Sequence, residues 1–494
     1  MTTSICYRYT KRLLITVLLT SLMIGLLPLA EVSGSSPASG YQADIRPIHG
    51  ENSQPEEALN QKVYLPIVRH GPGSIPTEGN IYGVETHTLL SNGGVETMAD
   101  AGAHWVRRNG LLWNEAEPVQ GQIDWSSATI TNLENELIEG YREGIEPIII
   151  VRNTPSWAQK YSGSICGPIR QDKLDAFGVF MEQIVAHFSA PPYNVKYWEL
   201  GNEPDVSVHY YTDWPFGCWG DGDDPYFGGR YYAEMLKRAY PKIKSVNPEV
   251  EVLVGGLLLD CDPNNPPDGK DCLGSKFMKG ILVNNGGSYF DGVSYHAYDY
   301  YGGSLGTYGN SNWHAKWNTT GPILNQKTPF LKNLLAEYGL NDKYLVLSEV
   351  SLLCDGGCDY DFEQTKANYL AQAYSDAHYW NIEAVIWYDV LGGWRNGGLI
   401  EGGEPLPAYY AFQFSHQELY GADAIQDLSD GWLRGYEFQF ADHRVWILWS
   451  GDGIGRNYTL PARPSKIFDR YGNAKTTQQT IYLDRNVTYI EWVP

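Results

Sequence analysis

The sequence predicts an α/β fold, a (β/α)8 TIM barrel followed by a small C-terminal antiparallel β-sandwich. Three observations carry this. Eight short apolar runs recur between residues 80 and 390, several of them separated by segments with helical spacing. The runs are largely continuous rather than alternating, as strands buried on both faces of a parallel sheet must be. Past residue 421 the texture changes to period-two alternation broken by turn residues. Eight units favour closure into a barrel over an open doubly wound sheet. No GxGxxG opens the first strand-to-helix turn, which weakens a dinucleotide fold further.

The elements follow in order. In residues 1–30, Arg8, Lys11 and Arg12 precede the apolar run LLITVLLTSLMIGLLPLA, the pattern of a secretory signal. The run is also about long enough to serve as an uncleaved membrane anchor. Residues 31–78 are rich in loop-forming residues and read as a flexible linker, with a short strand-like island, VYLPIV, at 63–68. Residues 79–421 hold the eight units. NIYGVETH (80–87) is the first strand and AHWVRRNGLLW (103–113) the second. TNLENELIEGYREG (131–144) has helical spacing and stops at Gly144, before the third strand EPIIIVRN (146–153). DKLDAFGVFMEQIVAHF (172–188) repeats apolar residues at i, i+3 and i+4, a helix, and leads to the fourth strand KYWELG (196–201). A helix at 231–246 precedes VEVLVGGLLL (250–259), FDGVSYHAY (290–298), KYLVLSEV (343–350) and EAVIWYDV (383–390). Helices at 365–380 and 406–421 flank the last strand. WLRGYEFQFA, HRVWILWSG, KIFDRYGNA and TIYLDRNVTYIEWVP then form the β-sandwich, 422–494.

Composition narrows the function. The net charge is −22, from 58 acidic and 36 basic residues, with no Lys/Arg cluster. Nucleic acid is thereby not expected as a partner. Cys6 lies in the leader, and six cysteines remain: Cys166, Cys218, Cys261, Cys272, Cys354 and Cys358. An even count in an exported chain predicts disulfides. Proximity suggests Cys261–Cys272 and Cys354–Cys358, leaving Cys166–Cys218. No CxxC or Cys/His cluster offers a zinc site, and DGDD at 221–224 lacks calcium-loop spacing, so no metal is expected. The expected location is secreted or at the extracytoplasmic cell surface, with no membrane contact beyond the possible anchor. Oligomeric state is not legible.

Two carboxylates share one address. KYWELGNEPD places Glu203 just past the fourth strand, where Pro204 lacks an N–H and keeps the preceding residue out of helix. Catalytic groups of barrels sit at such strand ends. Asn202 beside it can donate to a bound hydroxyl. Glu349 closes the seventh strand; it follows Leu345 and Leu347 and is expected to continue their row inward. Strands four and seven lie roughly opposite across the mouth. Two Glu side chains there can approach to about 5 Å, the spacing for double displacement at an anomeric carbon. Glu349 is then the nucleophile and Glu203 the acid/base, with Glu203 raised in pKa and Glu349 held charged by donors.

GNEP after the fourth strand and LSE in the seventh resemble glycoside hydrolase clan A, most nearly its β-xylosidase and cellulase-like branch, over roughly 79–420. The resemblance implies further roles. Arg107 in WVR would support the nucleophile, and Trp157 in NTPSWA would lie near the cleft. In HAY, His296 belongs to the His-x-Tyr of the sixth strand, and Tyr298 would hydrogen-bond the nucleophile. Trp387 in IWYD would floor the subsite before the scissile bond. Whether Arg107 or Arg108 points inward depends on register, and Arg107 can equally form an interior ion pair with Glu199. The expected activity is retaining hydrolysis of O-glycosidic, β-linked bonds in oligo- or polysaccharides, with carbohydrate as the partner and no cofactor. A non-catalytic carbohydrate-binding barrel and a transglycosylase remain as alternatives.

Overall fold

The structure, a computed structural model, describes residues 79–209, 217–313 and 321–493. The expected leader (1–30), the linker (31–78) and its strand at 63–68 lie outside the described residues. All described residues belong to one compact unit.

Eight parallel strands close into a barrel: β1 (Tyr82–Glu85), β2 (Trp105–Leu112), β3 (Glu146–Arg152), β4 (Tyr197–Asn202), β5 (Glu251–Leu257), β6 (Gly292–Tyr301), β7 (Tyr344–Leu353) and β8 (Ala384–Trp387). Each pairs with its chain neighbours, and β8 returns to β1. After each strand comes a helix: α1 (Val95–Asp100), α2 (Ala128–Arg142), α3 (Leu174–Phe188), α4 (Gly229–Val246), α5 (Phe277–Val283), α6 (Leu324–Glu337), α7 (Tyr360–Tyr379) and α8 (Pro407–Leu419).

Local chemistry explains these choices. In α3, Leu174, Phe177, Met181, Ile184, Val185 and Phe188 fall on one stripe and are buried against the sheet. Each contributes roughly 1.5–3 kcal/mol by leaving water. The helix stops before the Pro191–Pro192 pair, which cannot extend it. Helix α6 is not singled out in the sequence reading, and Pro329 sits inside it. Its buried Leu331, Leu334 and Leu335 hold it against the barrel in spite of the lost backbone bond.

Strand alternation divides the apolar residues between two cores. Trp105, Ile148, Tyr197, Leu253, Val346, Ala384 and Ile386 fill the barrel interior. Their neighbours Val106, Ile149, Trp198, Val254, Leu347 and Trp387 face the helices. Above the interior apolar layer the inward residues turn polar, and there the site begins.

Beyond α8 the chain forms a five-stranded antiparallel sheet and a separate two-stranded antiparallel sheet. In chain order the strands are β9 (Asp423–Asp427), β10 (Leu433–Gln439), β11 (Arg444–Ser450), β12 (Arg456–Thr459), β13 (Lys466–Asp469), β14 (Thr480–Leu483) and β15 (Thr488–Trp492). The sheet runs β9-β10-β11-β15-β13, and β12 pairs β14. Phe438, Val445, Ile447, Trp449 and Tyr489 pack one face onto Ala371 of α7 and Phe414 of α8. Leu433, Leu448 and Ile490 pack the other face onto Ile481 and Leu483 of the two-stranded sheet. Tyr436 donates to buried Asp376 of α7 at 2.7 Å, joining sheet and barrel.

The disulfides are Cys166–Cys218, Cys261–Cys272 and Cys354–Cys358, the pairing that proximity suggested. Every one lies in loops that leave the carboxyl ends of strands: the first joins the loops after β3 and β4, and the others staple those after β5 and β7. No helix among the described residues is long and apolar enough to cross a membrane.

Candidate active site

The site is built around one cation. On β2, Trp105 and Arg107 face in, and Val106 and Arg108 face out. Arg108 pairs with Glu136 of α2 at 2.6 Å. Arg107 is fully buried. Its Nη1 donates to Glu85 (2.6 Å) and Glu349 (2.5 Å), and its Nη2 to Glu199 and Asn202 (both 2.6 Å). The interior pair with Glu199 and support of Glu349 are therefore one network. Breaking a buried pair of this kind costs about 3–5 kcal/mol.

Glu203 leaves the end of β4 with φ of 50°, in the left-handed region. A non-glycine residue there costs of order 1–3 kcal/mol, and such outliers gather at functional sites. Pro204 keeps the residue out of right-handed helix, and the Glu203 N–H donates to the Gly256 carbonyl at 2.8 Å. The carboxylate is buried beside His296, whose Nδ1 lies 2.8 Å from Glu203 Oε1 and 3.3 Å from Glu349 Oε2. Glycine at 256 makes room for this ring: a Cβ there would stand 2.3 Å from His296 Nε2.

Glu349 points inward by a route the sequence did not suggest. Leu345 and Leu347 face the helices, and Val346 faces the interior, so their row does not continue to Glu349. The β6–β7 register steps from Tyr295↔Leu347 to His296↔Glu349, leaving Ser348 as an extra residue. That bulge resets the phase and turns Glu349 into the mouth. Arg107 holds Oε1, and the Tyr298 hydroxyl donates to Oε2.

One oxygen from each of Glu203 and Glu349 lies with a His296 ring nitrogen inside a 4.8 Å circle. These are metal-ligand types, yet both Glu349 oxygens already accept from Arg107 and Tyr298, which suits a held carboxylate better than a metal ligand. Burial, the Glu349 charge and Asp205 push Glu203 well above the ordinary carboxylate range. Burial also raises Glu349, opposed by Arg107 and Tyr298. His296 is driven well below its usual pKa by burial and by the Arg107 and Lys327 cations, and is neutral. Three buried carboxylates, Glu85, Glu199 and Glu349, share one guanidinium, so protons must remain; burial pushes Glu85 up to about 8.

The remaining expected residues fall apart. Asn202 turns its Oδ1 to Arg107, so its amide nitrogen is the donor end. Trp157 is half-buried, edge-on to Trp113 at 5.3 Å, and donates to the Glu117 carbonyl. It belongs to the rim and has no described contact with either carboxylate. Trp387 needs correction. It is fully buried on the helix side of β8, 6.2 Å from the Tyr369 ring of α7, and donates to the Gly397 carbonyl. It cannot floor a subsite. With Ile386 inward and Trp387 outward, the next inward residue is Tyr388, whose ring stands 6.2 Å from Tyr298. Trp394, 45% exposed, completes an aromatic triangle at 5.5 Å from both tyrosines. Sequence reasoning missed Glu85, Tyr388 and Trp394. Glu85 closes β1 as Glu349 approaches the end of β7, so the strand-end rule could have found it.

No protein-family model matches the chain, and no curated protein does. Solved structures do match. A family 39 glycoside hydrolase from the gut symbiont Bacteroides cellulosilyticus aligns with TM-score 0.64 at 19% identity, over 85% of this chain and 82% of that one. The chain shares the (β/α)8 barrel fold of that enzyme. A GH30 endoxylanase from Clostridium papyrosolvens gives TM-score 0.54 at 13% identity, over 84% of this chain and 96% of the other. A monomeric β-xylosidase from Caulobacter crescentus gives 0.53 at 13% identity, over 86% and 97%. At these identities the likeness establishes the barrel and its trailing β-sheets.

Proposed function

We propose that the chain is an exported retaining glycoside hydrolase that cleaves O-glycosidic, β-linked bonds of oligo- or polysaccharides by double displacement. One observation carries the reading: one oxygen of Glu203 and one of Glu349, on strands from opposite sides of the barrel, lie within 4.8 Å of each other. Retaining pairs stand about 5–5.5 Å apart, and inverting pairs leave about 6.5–9.5 Å for a water.

Glu349 Oε2 faces Glu203 and attacks the anomeric carbon, while Arg107 keeps Oε1. Glu203, the more strongly raised of the two, gives its proton to the departing oxygen. A glycosyl ester on Glu349 results, with its anomeric configuration inverted. Glu203, now a carboxylate, takes a proton from incoming water, which attacks the same carbon and restores the configuration. Neutral His296 fixes the Glu203 carboxyl without adding a charge. The two carboxylates supply nucleophile and proton, so the scheme uses no cofactor. The solved neighbours described as a xylanase and a xylosidase support carbohydrate as the substrate class, and the three disulfides fit an oxidising compartment.

The test is turnover of an aryl β-glycoside panel with NMR detection of the first-formed anomer. Retention is expected, and Glu349→Ala or Glu203→Gln should each lower turnover by several orders of magnitude. Inversion, or near-native activity of either variant, overturns the reading. Glycan pull-down without turnover would favour a binding barrel instead.

A further inference from the structure

One buried cation beside the acid/base has no part in the double displacement. Lys327, in the first turn of α6, is 3% exposed. Its Nζ donates to the carbonyls of Leu258 (2.7 Å) and His296 (2.9 Å) and, among the described residues, joins no carboxylate in an ion pair. Both carbonyls belong to peptides that bracket Glu203. His296 is the residue whose ring touches it. The N–H groups of Leu258 and Leu259 bind Asp205, two residues beyond Glu203, at 2.9 and 2.8 Å. The Trp313 ring lies 5.6 Å from Nζ, and its indole N–H donates to the Leu259 carbonyl.

A neutral amide could tie two carbonyls together without burying a charge, whereas an ammonium here carries a desolvation penalty. What a charge adds is reach, because its field is poorly screened in the interior. The charged and titratable groups facing this region are Glu203 and Asp205 after β4, Asp260 after β5, His296 and Asp299 on β6, Glu349 on β7 and Arg107 on β2. Glu203 feels two cations, Arg107 and Lys327. Arg107 is shared among Glu85, Glu199 and Glu349. Lys327 is the second cation that Glu203 feels, after Arg107, and it belongs to no ion pair among the described residues.

We propose that Lys327 is a positioning residue for the acid/base, fixing Glu203 through the peptides of Leu258 and His296 and keeping its proton labile enough to leave and return within one turnover. This rests on the glycosidase reading above. A nearby cation favours the carboxylate, so removing it makes Glu203 hold its proton more tightly. Burial lowers the ammonium itself to about 8, so it is charged at neutral pH.

The experiment compares full-length Lys327→Met, Lys327→Gln and Lys327→Arg with the parent chain. One arm is the alkaline limb of kcat/KM on an aryl glycoside. The other is a 13C NMR titration of the Glu203 carboxyl, assigned by difference with Glu203→Gln, which needs no turnover. In the Met and Gln variants both midpoints should rise by about one pH unit, a tenfold change in proton affinity, and in the Arg variant stay near the parent value. A folded Met or Gln variant with unmoved midpoints overturns the proposal. So does failure of both neutral variants to unfold cooperatively, which would make Lys327 a structural tie alone. A parent chain that hydrolyses no glycoside removes the functional reading, and the NMR arm still decides the role of Lys327.

Discussion

Tyr298→Phe is the sharpest single-atom perturbation of the site. It removes one oxygen and keeps the ring against Tyr388 and Trp394. The lost bond is from a phenol to Oε2 of Glu349. A hydrogen bond to a charged group is worth about 1.5–3 kcal/mol, so kcat/KM should fall about 10- to 150-fold at one tenfold per 1.36 kcal/mol. The sign on pH is fixed as well. The hydroxyl lowers the Glu349 pKa against the burial that raises it. Without it Glu349 ionises at higher pH, and the acidic limb of the profile should move up by about 1–2 units. The assay is kcat/KM against pH on an activated aryl glycoside, where leaving-group protonation matters little. A variant within about twofold of the parent, with its acidic limb in place, would show that Tyr298 does not hold the nucleophile.

Trp394→Ala and Trp387→Ala should separate binding from folding. The first removes an exposed ring at the mouth and should raise KM severalfold with little change in Tm; the second empties a buried site and should cost about 3–5 kcal/mol, read by denaturant unfolding. Asp376, held up to about 8 by burial, contributes stability that is fully present below the ordinary carboxylate pKa and lost as pH rises through about 8. Melting temperature should therefore decline from about pH 4 to about pH 8 and level off above, and Asp376→Asn should flatten that slope in calorimetry.

Much of this molecule was legible as a string. The eight units showed through because a parallel strand is buried on both faces, and continuous apolar runs such as EPIIIVRN leave few other readings. Glu203 showed because Pro204 ends a ladder visibly. What stayed hidden was phase. The extra residue at Ser348 is a backbone event with no side-chain signature, so Glu349 was reached by the wrong row. On β8, four residues long, one step separates Trp387 from Tyr388, and tryptophan drew attention where tyrosine has the address. Lys327 stayed hidden for another reason. It lies on a helix that the sequence reading did not single out, and its partners are main-chain carbonyls, which leave no mark in sequence.

All three cystines cross-link loops on the strand-exit side, and none of the six sulfurs ties the far end of the barrel or the trailing sheets. Oxidation thus governs the collar around the opening rather than the vessel beneath it. A chain that met reductant would keep its walls, which rest on apolar packing, and lose definition first where a guest molecule must be gripped.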